Sequence, residues 1–92
     1  MRFEDKSVVI TGANGGFGRA AALRFSREGA NVSCIDLAKD DLNDLIDEIT
    51  EEGGSAIAIQ ADVTQDLQVA AYVSETVEAF GGVDVLFNNA GI

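Results

Sequence analysis

The sequence predicts an α/β fold in which four parallel strands, in the order 3-2-1-4, are joined by three crossover helices. Three observations predict it. Short apolar, β-branched runs alternate with longer runs of helical period. The apolar runs hold almost no charge, as expected of strands covered on both faces. A glycine cluster leaves the first strand and opens the first helix. Parallel neighbours require right-handed crossovers, and the doubly wound arrangement sets the strand order. The 92 residues, 1–92, make one domain.

Each element follows from its own residues. "SVVITG" (Ser7 to Gly12) is a β-branched run ended by glycine and predicts a buried strand. Phe17 to Glu28 predicts a helix, with Ala20, Ala21, Ala22 and Leu23 favouring it and Gly29 as its stop. "NVSCID" (Asn31 to Asp36) predicts a second strand. In "KDDLNDLIDEITEEGG" the residues Leu42, Leu45, Ile46 and Ile49 form one apolar stripe. Asp40 and Asp41 complement the first turn of that helix, and Gly53 and Gly54 end it. The acidic residues between the stripe positions read as its solvated face. "SAIAIQADV" predicts a third strand, with Thr64 as N-cap of the next helix and Asp66 in its first turn. Val69, Val73, Val77 and Phe80 repeat at helical spacing and predict its buried stripe, leaving Tyr72 partly exposed. "VDVLFNNAG" predicts a fourth strand running into a turn.

Composition removes several functions. The net charge of -10 opposes nucleic acid and anionic membrane surfaces. No run approaches the length of a membrane span, and the N-terminus lacks a signal-peptide pattern. The single cysteine, Cys34, has no internal disulfide partner and predicts a small buried side chain in a reducing, cytoplasmic setting. There is no histidine, no metal-ligand cluster is evident, and the carboxylates lie on helix faces or at caps.

The glycines of "TGANGGFGRAAALRF" point to a phosphate ligand. A helix N-terminus offers free N–H groups and partial positive charge. Glycine there removes the Cβ that would hold a pyrophosphate away, and it permits positive φ. Gly12 suits the tight turn off the strand, Gly16 a close approach by the ligand, and Gly18 close packing of the helix. The spacing is G-x-x-x-G-x-G. Together with Asp36 after the second strand, "ADVT" after the third and "NNAG" after the fourth, it resembles the short-chain dehydrogenase/reductase family. The resemblance covers essentially the whole chain, but only the N-terminal part of a family member.

The resemblance implies a Rossmann-like half-domain that binds a nicotinamide dinucleotide. Gly12, Asn14, Gly16, Phe17 and Gly18 would line the pyrophosphate and adjoining ribose. Asp36 would accept hydrogen bonds from the adenosine ribose hydroxyls. Asp62 and Val63 would flank the adenine. Asn88, Ala90 and Gly91 would support the sheet and the nicotinamide ribose. Asp36 would repel a 2′-phosphate, and no cation stands at Ala13, Asn14 or Leu37, so NAD is expected over NADP. Arg19 starts the helix and could reach toward phosphate, but a residue at such a position is more often a solvated helix residue.

The family's serine, its Tyr-x-x-x-Lys pair and a further asparagine follow the "NNAG" strand, so no catalytic residue is assigned among residues 1–92. The chain alone is expected to bind NAD without catalysis. The alternative is a fragment of a full-length NAD-dependent oxidoreductase acting on an alcohol or ketone, and the second alternative a self-associating fragment without cofactor binding. In a complete family member a fifth strand would pair with "VDVLF"; in the 92-residue chain alone the fourth strand forms an apolar edge beside Val83, Val85, Leu86 and Phe87, and a homodimer through that edge and the uncovered sheet face is expected.

Overall fold

Parallel pairing runs through the whole sheet. The structure is a computed structural model and describes residues 2–62 and 65–88. Its elements are β1 (Ser7–Thr11), α1 (Gly16–Arg27), β2 (Asn31–Asp36), a 3-10 turn (Lys39–Leu42), α2 (Asn43–Glu51), β3 (Ser55–Gln60), α3 (Asp66–Phe80) and β4 (Val85–Asn88). The strand order is β3-β2-β1-β4, as the alternation predicts. Val8 lies opposite Val32 and Val85, and Ile10 opposite Cys34 and Phe87.

Side chains alternate across a strand, so each strand feeds two cores. Val8, Ile10, Val32 and Cys34 pack with Ala22 of α1 and with Leu42, Leu45 and Ile49, all fully buried. Val9, Ile35, Ile59 and Ala61 pack on the opposite face with Tyr72 of α3. Each large aliphatic side chain taken fully from water contributes roughly 1.5–3 kcal/mol. Of the predicted stripe, Leu42, Leu45 and Ile49 are therefore core, and Ile46 packs against it partly buried. The acidic segment before it departs from the prediction. Asp40 and Asp41 belong to the 3-10 turn, and Asp44 is the acid in the first turn of α2.

The ends of the helices are stitched together by charge. Arg27, at the end of α1, holds both carboxylate oxygens of Glu52 at 2.9 and 2.8 Å. Gly29, Gly53 and Gly81 end the three α-helices with φ of 92°, 87° and 87°. These are left-handed conformations that favour glycine.

The third helix is turned about its axis from its predicted orientation. Tyr72, only 3% exposed, and Thr76 face the sheet with Val69 beside them, while Val73 and Val77 lie exposed. Neighbouring helical residues point about 100° apart, so a shift of one residue moves the stripe by that angle. The cause is physical. The Tyr72 ring fills the space over Val9 and Ile35, where a valine would be too short. The Thr76 hydroxyl lies 2.8 Å from both Ser33 Oγ and the Tyr72 carbonyl. With one proton, it donates to the carbonyl and accepts from Ser33. Helix α3 begins at Asp66 with Gln65 as N-cap, and the predicted cap Thr64 lies outside the described residues.

Cys34 is fully buried, and desolvation pushes its thiol up to about 12. The unfolded thiol ionises near its ordinary value, about 8.5. Above that pH the unfolded state loses its proton while the folded state keeps it. Stability present at neutral pH should therefore fall as pH rises from 9 towards 12, and a Cys34→Ala variant should lack this component. Urea midpoints at pH 7 and pH 10 for the two proteins check it.

The buried hydroxyls supply a second test. Thr76→Val keeps the side-chain shape but leaves Ser33 without its partner and should cost about 1–3 kcal/mol. Ser7 Oγ is buried with no hydrogen-bond partner among the described residues. Ser7→Ala should therefore leave stability unchanged or raise it. Side-by-side urea unfolding reads both, and equal losses would refute the distinction.

Candidate functional site

The glycine turn joins β1 to α1 at the C-terminal end of the sheet. Gly12 leaves the strand at φ 64°, and the Gly15 N–H returns to its carbonyl at 3.1 Å. The first bond of the α1 ladder runs from the Arg19 N–H to the Gly15 carbonyl at 2.9 Å. The N–H groups of Gly16, Phe17 and Gly18 thus precede the ladder, and no acidic side chain occupies the first turn. That end of the helix keeps its partial positive charge.

Two glycines there do different work. A Cβ on Gly18 would lie 2.2 Å from the Gly12 carbonyl oxygen and 2.8 Å from the Ala13 Cα. The helix therefore starts in contact with the turn, and only glycine permits it. A Cβ on Gly16 would meet nothing within 4 Å. The chain has left open space in front of the helix N-terminus at that point. Phe17, beside it, is 79% exposed.

Asp36 closes the other side. It is the last residue of β2, next to the end of β1. Its Oδ2 accepts from the Asn14 N–H at 2.9 Å and its Oδ1 from the Leu37 N–H at 2.8 Å. Each oxygen keeps a second lone pair, so the carboxylate is fixed and can still accept. Open space, free helix N–H groups and a fixed carboxylate suit the pyrophosphate and ribose of a dinucleotide.

The remaining predicted positions are partly placed. Asp62 follows β3 and its N–H donates to Gln68 Oε1. Asn88 ends β4 beside Thr11, whose hydroxyl donates to Asn88 Oδ1 at 2.9 Å. Val63, Ala90 and Gly91 lie outside the described residues.

Arg19 departs from the sequence reading. It is not a solvated helix residue. Its Nη2 reaches Asp44 Oδ1 at 2.6 Å and the Asp41 carbonyl at 3.1 Å, and its Nε reaches Asn14 Oδ1 at 3.3 Å. Arg19 holds the Asp44 carboxyl below the ordinary carboxylate range. Residues 19 and 44 are far apart in sequence and show no motif, so only the packing of α1 beside α2 brings them together.

Comparison with known proteins agrees with this geometry. The sequence profile of the family described as short chain dehydrogenase matches residues 6–92. The meso-2,3-butanediol dehydrogenase of Serratia marcescens is 45% identical over 92 residues, covering 100% of this chain and 36% of that protein. The solved hydroxysteroid dehydrogenase of Escherichia coli superposes with a TM-score of 0.94 at 37% identity, covering 99% of this chain and 39% of the other. A metagenomic short-chain oxidoreductase, solved in complex with NADP, superposes with a TM-score of 0.93 at 32% identity, covering 100% of this chain and 42% of the other. The chain spans about a third of the length of the curated relatives it matches. On sequence and fold together, the chain belongs to the short chain dehydrogenase family.

Proposed function

We propose that residues 1–92 bind the adenosine and pyrophosphate of NAD for an oxidoreductase that acts on an alcohol or ketone. The observation that carries this reading is the open space at Gly16 in the first turn of α1, with the Asp36 carboxylate fixed by the Asn14 N–H of the same glycine turn. Gly12, Asn14, Gly16, Phe17 and Gly18 take the pyrophosphate side, Asp36 the ribose hydroxyls, Asp62 and Val63 the adenine. Asn88, Ala90 and Gly91 take the nicotinamide ribose side. The dinucleotide supplies the hydride acceptor or donor. The substrate class follows the names of the diol and hydroxysteroid relatives. The proton-moving residues belong to the length that the relatives have in addition. A cytoplasmic setting suits the lone buried thiol.

NAD is preferred because, among the described side chains, no cation pairs with Asp36, which would face a 2′-phosphate with like charge. The NADP-bound relative makes this choice the part of the reading most in need of test.

Self-association is a second reading, favoured by the β4 edge. Leu86 is 55% exposed there, and Val83, Val73 and Val77 are also exposed. An unpaired apolar edge templates strand addition. Phe87 packs edge-on against Phe25, with ring centroids 6.4 Å apart, so Leu86 is the cleaner probe. Leu86→Lys should convert an oligomer of the 92-residue chain to monomer in sedimentation runs. A monomeric unmodified chain at tens of micromolar would remove this reading.

Calorimetry tests the principal reading. Gly16→Ala should fold as the unmodified protein does and lose NAD binding. Gly18→Ala should lose stability outright, because its Cβ strikes backbone. Asp36→Ala should weaken NAD by roughly 1.5–3 kcal/mol, the scale of a hydrogen bond to a charged group, and narrow the gap to NADP. Undiminished NAD binding in Gly16→Ala would overturn the placement.

A further inference from the structure

We infer that Asp44 sets cofactor selectivity at a distance, by holding Arg19 away from the ribose end of the cleft. This rests on the dinucleotide reading above. Asp44 is a positioning residue and does not itself line the cleft.

The network has a definite order. Asp36 accepts from the Asn14 backbone N–H, and Asn14 Oδ1 accepts from Arg19 Nε. One residue therefore separates the guanidinium from the carboxylate that meets the ribose. Arg19 is partly buried, with its side chain 29% exposed, and its far nitrogen is drawn to Asp44 at 2.6 Å and to the Asp41 carbonyl. Arg24 pairs with Glu28, and Arg27 with Glu48 and Glu52, at the other end of the sheet. Among the described side chains, Arg19 is thus the cation placed to serve a ligand at this end.

A 2′-phosphate next to Asp36 needs a cation to offset the like charge. Arg19 is linked to Asp36 through the single residue Asn14, but its charge is committed to Asp44. The Asp44 carboxylate competes with any phosphate for the same guanidinium. Releasing Arg19 removes that competition and leaves a planar donor that suits phosphate. The ribose hydroxyls of NAD gain nothing from the released charge. The pyrophosphate is common to both dinucleotides, so the released arginine changes the ratio of affinities through the 2′-phosphate alone.

Asp44 is largely exposed, its side chain 77% accessible, so its replacement leaves the core intact. The test measures NAD and NADP affinities by calorimetry for five proteins: unmodified, Asp44→Ala, Asp44→Glu, Arg19→Met, and the double variant Asp44→Ala/Arg19→Met. Asp44→Ala should tighten NADP roughly tenfold relative to NAD, the scale of one charge-assisted hydrogen bond. Asp44→Glu should restore the original ratio. The double variant should lose the gain, which a merely structural role for Asp44 would not predict. The gain should also shrink as salt is raised. NAD binding with an unmoved ratio in Asp44→Ala overturns this inference alone. A gain that persists in the double variant also overturns it. Absence of NAD binding by the unmodified protein overturns the reading beneath it, and the inference with it.

Discussion

The contact between Gly18 and the Gly12 carbonyl is the constraint on which the rest of the site depends. With no Cβ at position 18, α1 starts against the turn that leaves β1. That brings the free N–H groups of the first turn to the end of the sheet. It also brings Asn14 within 2.9 Å of Asp36 and Arg19 beside α2. A side chain at position 18 would push the helix outward, and all three relations would loosen together. Gly12 is coupled to it, since the turn that receives the helix needs φ 64°. The helix position thus follows from two backbone requirements before any ligand is considered.

Much of this was legible in the sequence because the signals are local. Strand order, the two core faces and the stripe Leu42, Leu45 and Ile49 follow from periodicity and from the crossover rule. The glycines and Asp36 were legible because spacing in sequence maps directly onto one turn and one strand end. The face of α3 was not. Hydropathy ranks Val73 and Val77 above Tyr72 and Thr76, but burial rewards the side chain that fills the gap and satisfies its polar atoms. Ser33 supplies the partner that makes Thr76 acceptable in the interior. That partner lies on another element, so no helix periodicity reveals it. The ion pair of Arg19 and Asp44 escaped for the same reason.

The exposed side of α3 and the β4 edge are connected by this rotation. Once Tyr72 takes the sheet, Val73 and Val77 are turned outward, and Leu86, opposite Val9 in the strand register, is exposed on the sheet face that α3 packs on. Apolar surface left in water at several neighbouring positions is unusual for a free face and usual for one that is covered in an assembly or by further chain. The same choice that stabilises the second core therefore creates the surface that calls for cover.

Net charge and ligand charge seem opposed in this protein, and the arrangement of helix ends resolves it. The chain carries -10, yet its candidate ligand is an anion. Long-range repulsion between exposed charges is screened beyond about 8–10 Å at ordinary salt. What a phosphate meets is the local field. Asp40 and Asp41 sit in the first turn of the 3-10 turn and Asp44 in that of α2, so their positive ends are already matched. The first turn of α1 has no acid at all. Its partial charge stands uncompensated beside the open space at Gly16, while the Asp36 carboxylate at the end of β2 is held by two backbone N–H groups. On the proposed reading, acids are thus placed where they match a helix or a ribose and are absent from the helix end that takes the pyrophosphate. The overall charge then acts mainly against long polyanions, which cannot confine themselves to one helix end.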